Sequence, residues 1–449
     1  MSSFLDGRPK IAFYGDDFTG ATDTLATATL AGLRSLLFLH VPDAAQLSAA
    51  GRLDCLGIAG AARSMDEAQM RAELEPVSAF FSSLRAPVTH YKICSTFDSA
   101  PHIGNIGAAL RIWRARIANR FVPIVGGQPN LRRYCLFSQL YAAEKAGGEV
   151  VRIDRHPTMR QHPVTPMDEA DLRIHLQRQG LQVAGLHYPC YADAQALQAQ
   201  IDAALEAHSD AVLFDVSAAA DLNAIGRAIW RSAEQQDLLA IGASSVVQSL
   251  AAYWHGEGWL GQEGEQAEQA SQEARIAPAR GPVFVLAGSL SPITEQQVSA
   301  AQAYDRLLLD AQRLCEGDEA YLAATVTRIA QGLRSGRNML ACTSAPVEER
   351  QLLAGEGAAQ RLAMACGELL RRVLQATPLS RVGVAGGDTS SHALRALDIW
   401  GLSYVGQLSA GVALCRAHAQ EPHLDGVELM LKGGQMGPAE LFELLLHGT

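Results

Sequence analysis

No C-x-x-C pair and no H-E-x-x-H motif occurs in these 449 residues. The eight cysteines (Cys55, Cys94, Cys135, Cys190, Cys315, Cys342, Cys366, Cys415) lie far apart, which excludes a zinc pattern and a small disulfide framework. No run of about 18 apolar residues is present, and the opening MSSFLDGRPK has neither the charged nor the apolar part of a signal peptide. Both absences point to a cytoplasmic chain without a membrane span. Basic residues are the minority, 37 Lys+Arg against 47 Asp+Glu for a formal charge of -10; that balance argues against general attraction to nucleic acid or anionic membrane. There is no fixed-period repeat and no heptad pattern, so solenoids and coiled coils are set aside. Neither GxxxxGK[ST] nor a strand-linked GxGxxG stands at the glycine turns, and GxSxG is missing, which leaves P-loop, dinucleotide and common serine-hydrolase readings without support.

What is present is ample apolar material, 48% of the residues, with 19% charged. At this length two folding units are expected. Short apolar runs alternate with helical patterns: KIAFYG then ATDTLATATLAGL, DCLGIAG then MDEAQMRAELEPVSAFFSSL, VTHYKIC then IGNIGAALRIWRARI. This reads as an α/β fold with mostly parallel sheets. The stretch RRYCLFSQLYAAEKAG is expected to be a helix. Residues 256–281 are rich in Gly, Gln, Glu and Ala with hardly an apolar anchor and read as a linker. The expected division is therefore 1–255, linker 256–281, and 282–449, the last a second α/β domain opened by the strand PVFVLAGSLS.

In open α/β sheets ligands sit beyond the carboxyl ends of the strands, so the strand-to-helix turns are the candidate sites. YGDDFTGATD places Asp16, Asp17 and Asp23 at such a turn. One aspartate is accounted for by capping the helix; two adjacent ones exceed that need, since one can engage the helix while the other faces a ligand hydroxyl or a magnesium shell. KICSTFDSAPHIGNIG crowds Lys92, Ser95, Thr96, Asp98 and Ser99 into one loop, which suits a hydroxylated anion as well as a plain Asx or Ser/Thr turn. Arg63 and Ser64 in AARSM, and Gly126, Gly127, Gln128, Asn130 and Arg132 in GGQPNLRRY, follow further strands. The C-terminal half has three glycine turns: Gly288, Ser289 and Ser291; Gly386 to Ser391; and Lys432, Gly433, Gly434 and Gly437. Glycine permits close backbone approach to phosphates, and three such turns in one domain favour a nucleotide site over ordinary tight turns.

Six stretches, in order, resemble the two-domain four-carbon acid sugar kinases: DDFTGATD (16–23), KICSTFDSAPHIGNIG (92–107), HPVTPM (162–167), LAGSLSPIT (286–294), GGDTSSHAL (386–394) and LKGGQMG (431–437). The resemblance implies an acid sugar on the N-terminal domain, ATP with Mg2+ on the C-terminal domain, and transfer in the cleft between them. It implies that Asp16 and Asp17 stand by the substrate hydroxyls as the catalytic pair. Arg63, Lys92, Ser95 and Asp98, with Gln128 from the neighbouring loop, would hold the acid. Ser289, Ser291, Gly386, Gly387, Asp388, Thr389, Gly433 and Gly434 would form the nucleotide site. The chain departs from the family's pattern at 60–65 (GAARSM) and 123–137 (PIVGGQPNLRRYCLF), both in the sugar half, and KGGQMG replaces a Lys-Ser-Gly-Asn-Phe-Gly turn.

The expected activity is thus ATP-dependent phosphorylation of a hydroxyl on a small sugar acid, with partners limited to that acid and ATP and a homodimer left open. The alternative from another class is a non-catalytic sugar-acid or nucleotide sensor. A nicotinamide-dependent dehydrogenase is a poorer rival because the dinucleotide fingerprint is absent.

Overall fold

The computed structural model describes residues 7–144, 147–162, 164–260, 276–288, 291–343, 358–434 and 436–449, apart from the side chains at 358, 359 and 388. The chain forms two compact units, residues 1–269 and 270–449. The core of the expected linker, 261–275, lies outside the described residues. Its last part packs on the second unit: Ile276 is buried and bonds with Thr449, and the Ala279 amide donates to the Leu446 carbonyl.

The strands are β1 Ile11–Gly15, β2 Ser35–Phe38, β3 Cys55–Ala59, β4 Val88–Lys92, β5 Pro123–Val125, β6 Gly127–Gln128, β7 Arg133–Leu136, β8 Gln139–Ala143, β9 Val150–Arg152, β10 Val183–Leu186, β11 Ala211–Phe214 and β12 Leu238–Gly242 in the first unit. Eight of them make a parallel sheet in the order β10-β11-β5-β12-β4-β1-β3-β2. Every residue of β1, β3, β4, β11 and β12 is buried, as expected of parallel strands covered by helices on both faces. From β1 the chain runs to β2 and β3 on one side and then crosses to β4 on the other. In open α/β sheets such a reversal of strand order at the carboxyl end of a strand is where ligands are expected. Helix Phe18–Leu30 follows β1 directly, with Asp17 as its N-cap accepting from the Gly20 amide at 3.0 Å.

The expected helix over RRYCLFSQLYAAEKAG does not form. Its described part is the β7–β8 hairpin of a four-stranded antiparallel sheet, β6-β7-β8-β9. The reversal falls on Phe137 (φ 50°) and Ser138 (φ 68°), both left-handed. A carboxylate distant in sequence fixes this conformation: buried Asp215, just past β11, accepts the Phe137 amide at 2.7 Å and the Ser138 amide at 2.9 Å. Helical periodicity in the stretch loses to a tertiary partner that local sequence does not show.

In the second unit β13 Phe284–Ala287, β14 Tyr304–Leu308, β15 Asn338–Cys342, β16 Arg381–Ala385 and β19 Glu428–Lys432 are parallel, with the antiparallel β17 Ile399–Ser409 and β18 Val412–Ala419 beside β19; the order is β17-β18-β19-β16-β13-β15-β14. Val285, Leu340, Met430, Leu441, Phe442 and Leu445 are among the residues of its core. Among the described residues no helix is long and apolar enough to cross a membrane.

Candidate functional site

Register alone assembles the first site. Gly15 stands opposite Ala59 on one side and Lys92 on the other, so the turns after β1, β3 and β4 open side by side. The backbone locks them together: the Asp16 amide donates to the Lys92 carbonyl at 2.9 Å, Gly60 to Gly15 at 2.9 Å, and Arg63 to Asp16 at 3.1 Å.

The side chains converge as tightly. The Arg63 guanidinium forks onto both aspartates, with Nε and Nη2 on Asp16 (3.2 and 2.6 Å) and Nη1 and Nη2 on Asp17 (2.8 and 2.9 Å). Lys92 Nζ lies 3.9 Å from Asp17 Oδ1. Burial pushes the Asp16 carboxyl up, against the pull of Arg63. Burial acts the same way on Asp17, but there the Arg63 and Lys92 charges and the Gly20 amide outweigh it and hold the carboxyl below its ordinary value. The two neighbours therefore differ: Asp16 is walled in at 3% exposure, whereas Asp17 is half-buried and firmly anionic. Gly20 makes room for this arrangement, since a Cβ there would stand 1.7 Å from Lys92 Nζ.

The loop after β4 divides into two roles. Asp98 accepts from Thr96 Oγ1 at 2.7 Å and stays partly exposed, and buried Ser95 accepts a hydrogen bond from Arg133 of β7. Ser99 points inward to His175 and Gln179 (2.9 and 2.8 Å) and serves the fold. Gln128 is buried and donates to Asp23 at 3.0 Å; Ser244 bonds the same carboxylate, so Gln128 braces helix Phe18–Leu30 against β6. Arg132 adopts φ 54° at the end of a short 3-10 turn. Arg133, its neighbour, is the residue that sequence reasoning passed over; the Arg-Arg doublet was visible, but which of the two faces the site depends on the unforeseen hairpin.

The second site is built the same way. Ala287, Ala385 and Lys432 are aligned across β13, β16 and β19, so Gly288, Gly386 and Gly433 follow in adjacent turns. Gly386 (φ 129°) opens helix Gly387–Ala396, which has no side-chain cap, and a Cβ at Gly387 would meet nothing within 4 Å. Uncapped N–H groups with open space before them suit an anionic group. Gly288 has the opposite reason to be glycine: a Cβ would strike Thr389 Oγ1 at 2.4 Å. Ser291 caps helix Pro292–Ala300 and also donates to the Gly434 carbonyl. Ser289 and the Asp388 side chain lie outside the described residues.

Beneath these turns Lys432 is fully buried, with Nζ 2.6 Å from Gln297 Oε1 and 3.0 Å from Thr294 Oγ1. Burial pushes its ammonium down to about 7. Gln297 donates in turn to the carbonyls of Met436, Gly437 and Pro438, tying the lysine to the glycine turn. No local pattern marks Gln297, a polar residue turned inward from a short helix. Among the described residues no group of three or more His, Cys, Asp or Glu is placed to hold a metal ion.

Residues 11–250 match the family model of a sugar-binding N-terminal domain, and residues 284–442 that of a nucleotide-binding C-terminal domain. The chain is 34% identical to a 3-oxo-isoapionate kinase of Paraburkholderia graminis, covering 98% of this chain and 94% of that one. It is 31% identical to a 3-oxo-tetronate kinase of Methylobacterium radiotolerans, covering 95% and 96%. Its fold is similar to that of a putative tRNA synthase from Salmonella typhimurium LT2 (TM-score 0.77, 23% identity, 96% of this chain and 98% of that one) and to a Haemophilus influenzae protein (0.70, 21%, 96% and 98%). With both halves matched in order and its relatives covered nearly end to end, the chain belongs to the four-carbon acid sugar kinase family and is a kinase of small sugar acids.

Proposed function

We propose that this protein transfers the γ-phosphate of ATP, supplied as its Mg2+ complex, to a hydroxyl of a 3-oxo sugar acid in the cytoplasm. Residues 1–255 bind the acid, 282–449 bind the nucleotide, and 256–281 join them. The observation that carries this reading is the convergence of Asp16, Asp17, Arg63 and Lys92 at the carboxyl ends of three adjacent strands. The names of the 34% and 31% identical relatives support the 3-oxo acid class.

Phosphoryl transfer asks the protein mainly for alignment and charge neutralisation. Asp17 is suited to accept the hydrogen bond of the substrate hydroxyl and take its proton as the new P–O bond forms, because it is anionic and partly open. Asp16, more deeply buried, and Arg63 fix its position. Lys92 offsets charge on the same face. On the other unit the uncapped start of helix Gly387–Ala396, with Gly288, Ser291 and the turn at Gly433–Gly434, is suited to the phosphates. These backbone donors fit a triphosphate, and Mg2+, which keeps much of its shell from phosphate and water, would neutralise it there.

The deciding measurement is ADP release from Mg-ATP with D- and L-threonate, D- and L-erythronate, 3-oxo-tetronate and 3-oxo-isoapionate. Turnover of a 3-oxo acid is expected. ATP binding by calorimetry with no ADP from any acid would overturn the reading in favour of a sensor.

A further inference from the structure

Three cations stand around the acid-binding loop, and their surroundings differ. Arg63 already gives four hydrogen bonds to Asp16 and Asp17. Lys92 lies against Asp17. Arg133 alone of the three has no carboxylate within ion-pair distance among the described residues; it donates instead to the neutral Ser95 hydroxyl.

That bond leaves Ser95 with its own proton to give. A hydroxyl that accepts from a guanidinium can donate to a third group, so Ser95 and the remaining N–H groups of Arg133 together form a donor set. A guanidinium fork with free N–H groups matches a carboxylate in shape and charge. The support beneath it is rigid. Arg133 pairs with Gln128 on one side and Ala142 on the other, Gln128 is fastened to Asp23, and the β7–β8 turn is fastened to buried Asp215.

We propose that Arg133, with Ser95, is the anchor for the substrate carboxylate and the residue that makes this enzyme select acids over their neutral analogues. Arg63 instead serves to position the two aspartates. This assignment rests on the sugar-acid kinase reading for its substrate, and it falls in the 123–137 segment where the sequence departs from its family's pattern.

The test uses Arg133→Met and Arg133→Lys in the full chain, with the 3-oxo acid that the parent turns over and the carboxamide of that acid. Arg133→Met is expected to raise KM for the acid by about 10- to 100-fold, the loss of a charge-assisted pair, with kcat within threefold and KM for the carboxamide unchanged. Arg133→Lys, keeping charge but not the fork, should fall between. Equal rises in KM for acid and carboxamide, or no rise for either, would overturn the proposal. Calorimetric titration of the acid into parent and variants without nucleotide reads the anchor even if no phosphate is transferred. If parent and Arg133→Met bind the acid equally there, the anchor is refuted; if only ADP release is missing, the kinase reading fails and the anchor stands. Unchanged melting temperature and ATP affinity in the variants would separate the effect from misfolding.

Discussion

A β-carbon on Gly20 would sit 1.7 Å from Lys92 Nζ and 2.5 Å from Asp17 Oδ1. The first turn of helix Phe18–Leu30 thus owes its glycine to a buried cation from another strand. Gly20→Ala should displace Lys92 from Asp17, lowering kcat/KM by about tenfold or more, in line with the cost of small misplacements in an active site. Ala favours a helix interior over Gly by roughly 1 kcal/mol, so melting temperature should fall little. Unaltered kcat/KM would show that the Lys92–Asp17 approach is not needed.

Asp17→Asn separates charge from structure. Asparagine caps helices about as well as aspartate, and Asp16 remains to pair with Arg63. Stability should therefore change little while kcat drops about 100-fold, the low end for a positioned base. A loss under about threefold in steady-state kcat would mean that the proton goes elsewhere.

Lys432 is expected to make nucleotide binding depend on pH. Its folded value near 7 lies below the ordinary 10.5 of lysine, so between those two values the unfolded chain binds the extra proton and stability of the nucleotide-free protein rises with pH. Below about 7 the cost of the buried charge is fully present. A triphosphate held over the Gly433–Gly434 turn should favour the ammonium form, so nucleotide binding near pH 8 should draw in a proton, read as a dependence of binding heat on the buffer's ionisation enthalpy. Lys432→Met should abolish that dependence; its persistence would assign the proton to another group.

Asp215 acts through the hairpin whose turn it holds. Asp215→Ala leaves the Phe137 and Ser138 amides without their acceptor, at an expected cost of about 2–4 kcal/mol. Because the same hairpin carries Arg133, KM for the acid should rise while nucleotide affinity holds. Denaturant melts and ADP-release kinetics on one preparation check both.

Much of this was legible in the sequence. Apolar runs with helical spacers gave the parallel strands, and turns at their carboxyl ends gave Asp16, Asp17, Lys92 and the glycine turns of the second unit. What local pattern could not show is long-range partnership. The β7–β8 hairpin read as a helix because its left-handed turn is held by Asp215, nearly eighty positions away. Arg133 was hidden with it. Gln128 stood out as a ligand group, yet its amide is committed to Asp23.

The place of β12 in the first sheet carries a consequence for biosynthesis. β12 comes last of the eight strands in sequence, Leu238–Gly242, yet lies between β4 and β5. Until that segment leaves the ribosome, the inner edges of β4 and β5 have no partner, and unpaired apolar edges invite association between chains. The nascent N-terminal half cannot close its core stepwise, so a chain stopped short of residue 238 is expected to aggregate, although Asp16, Asp17 and Lys92 have all been made by then.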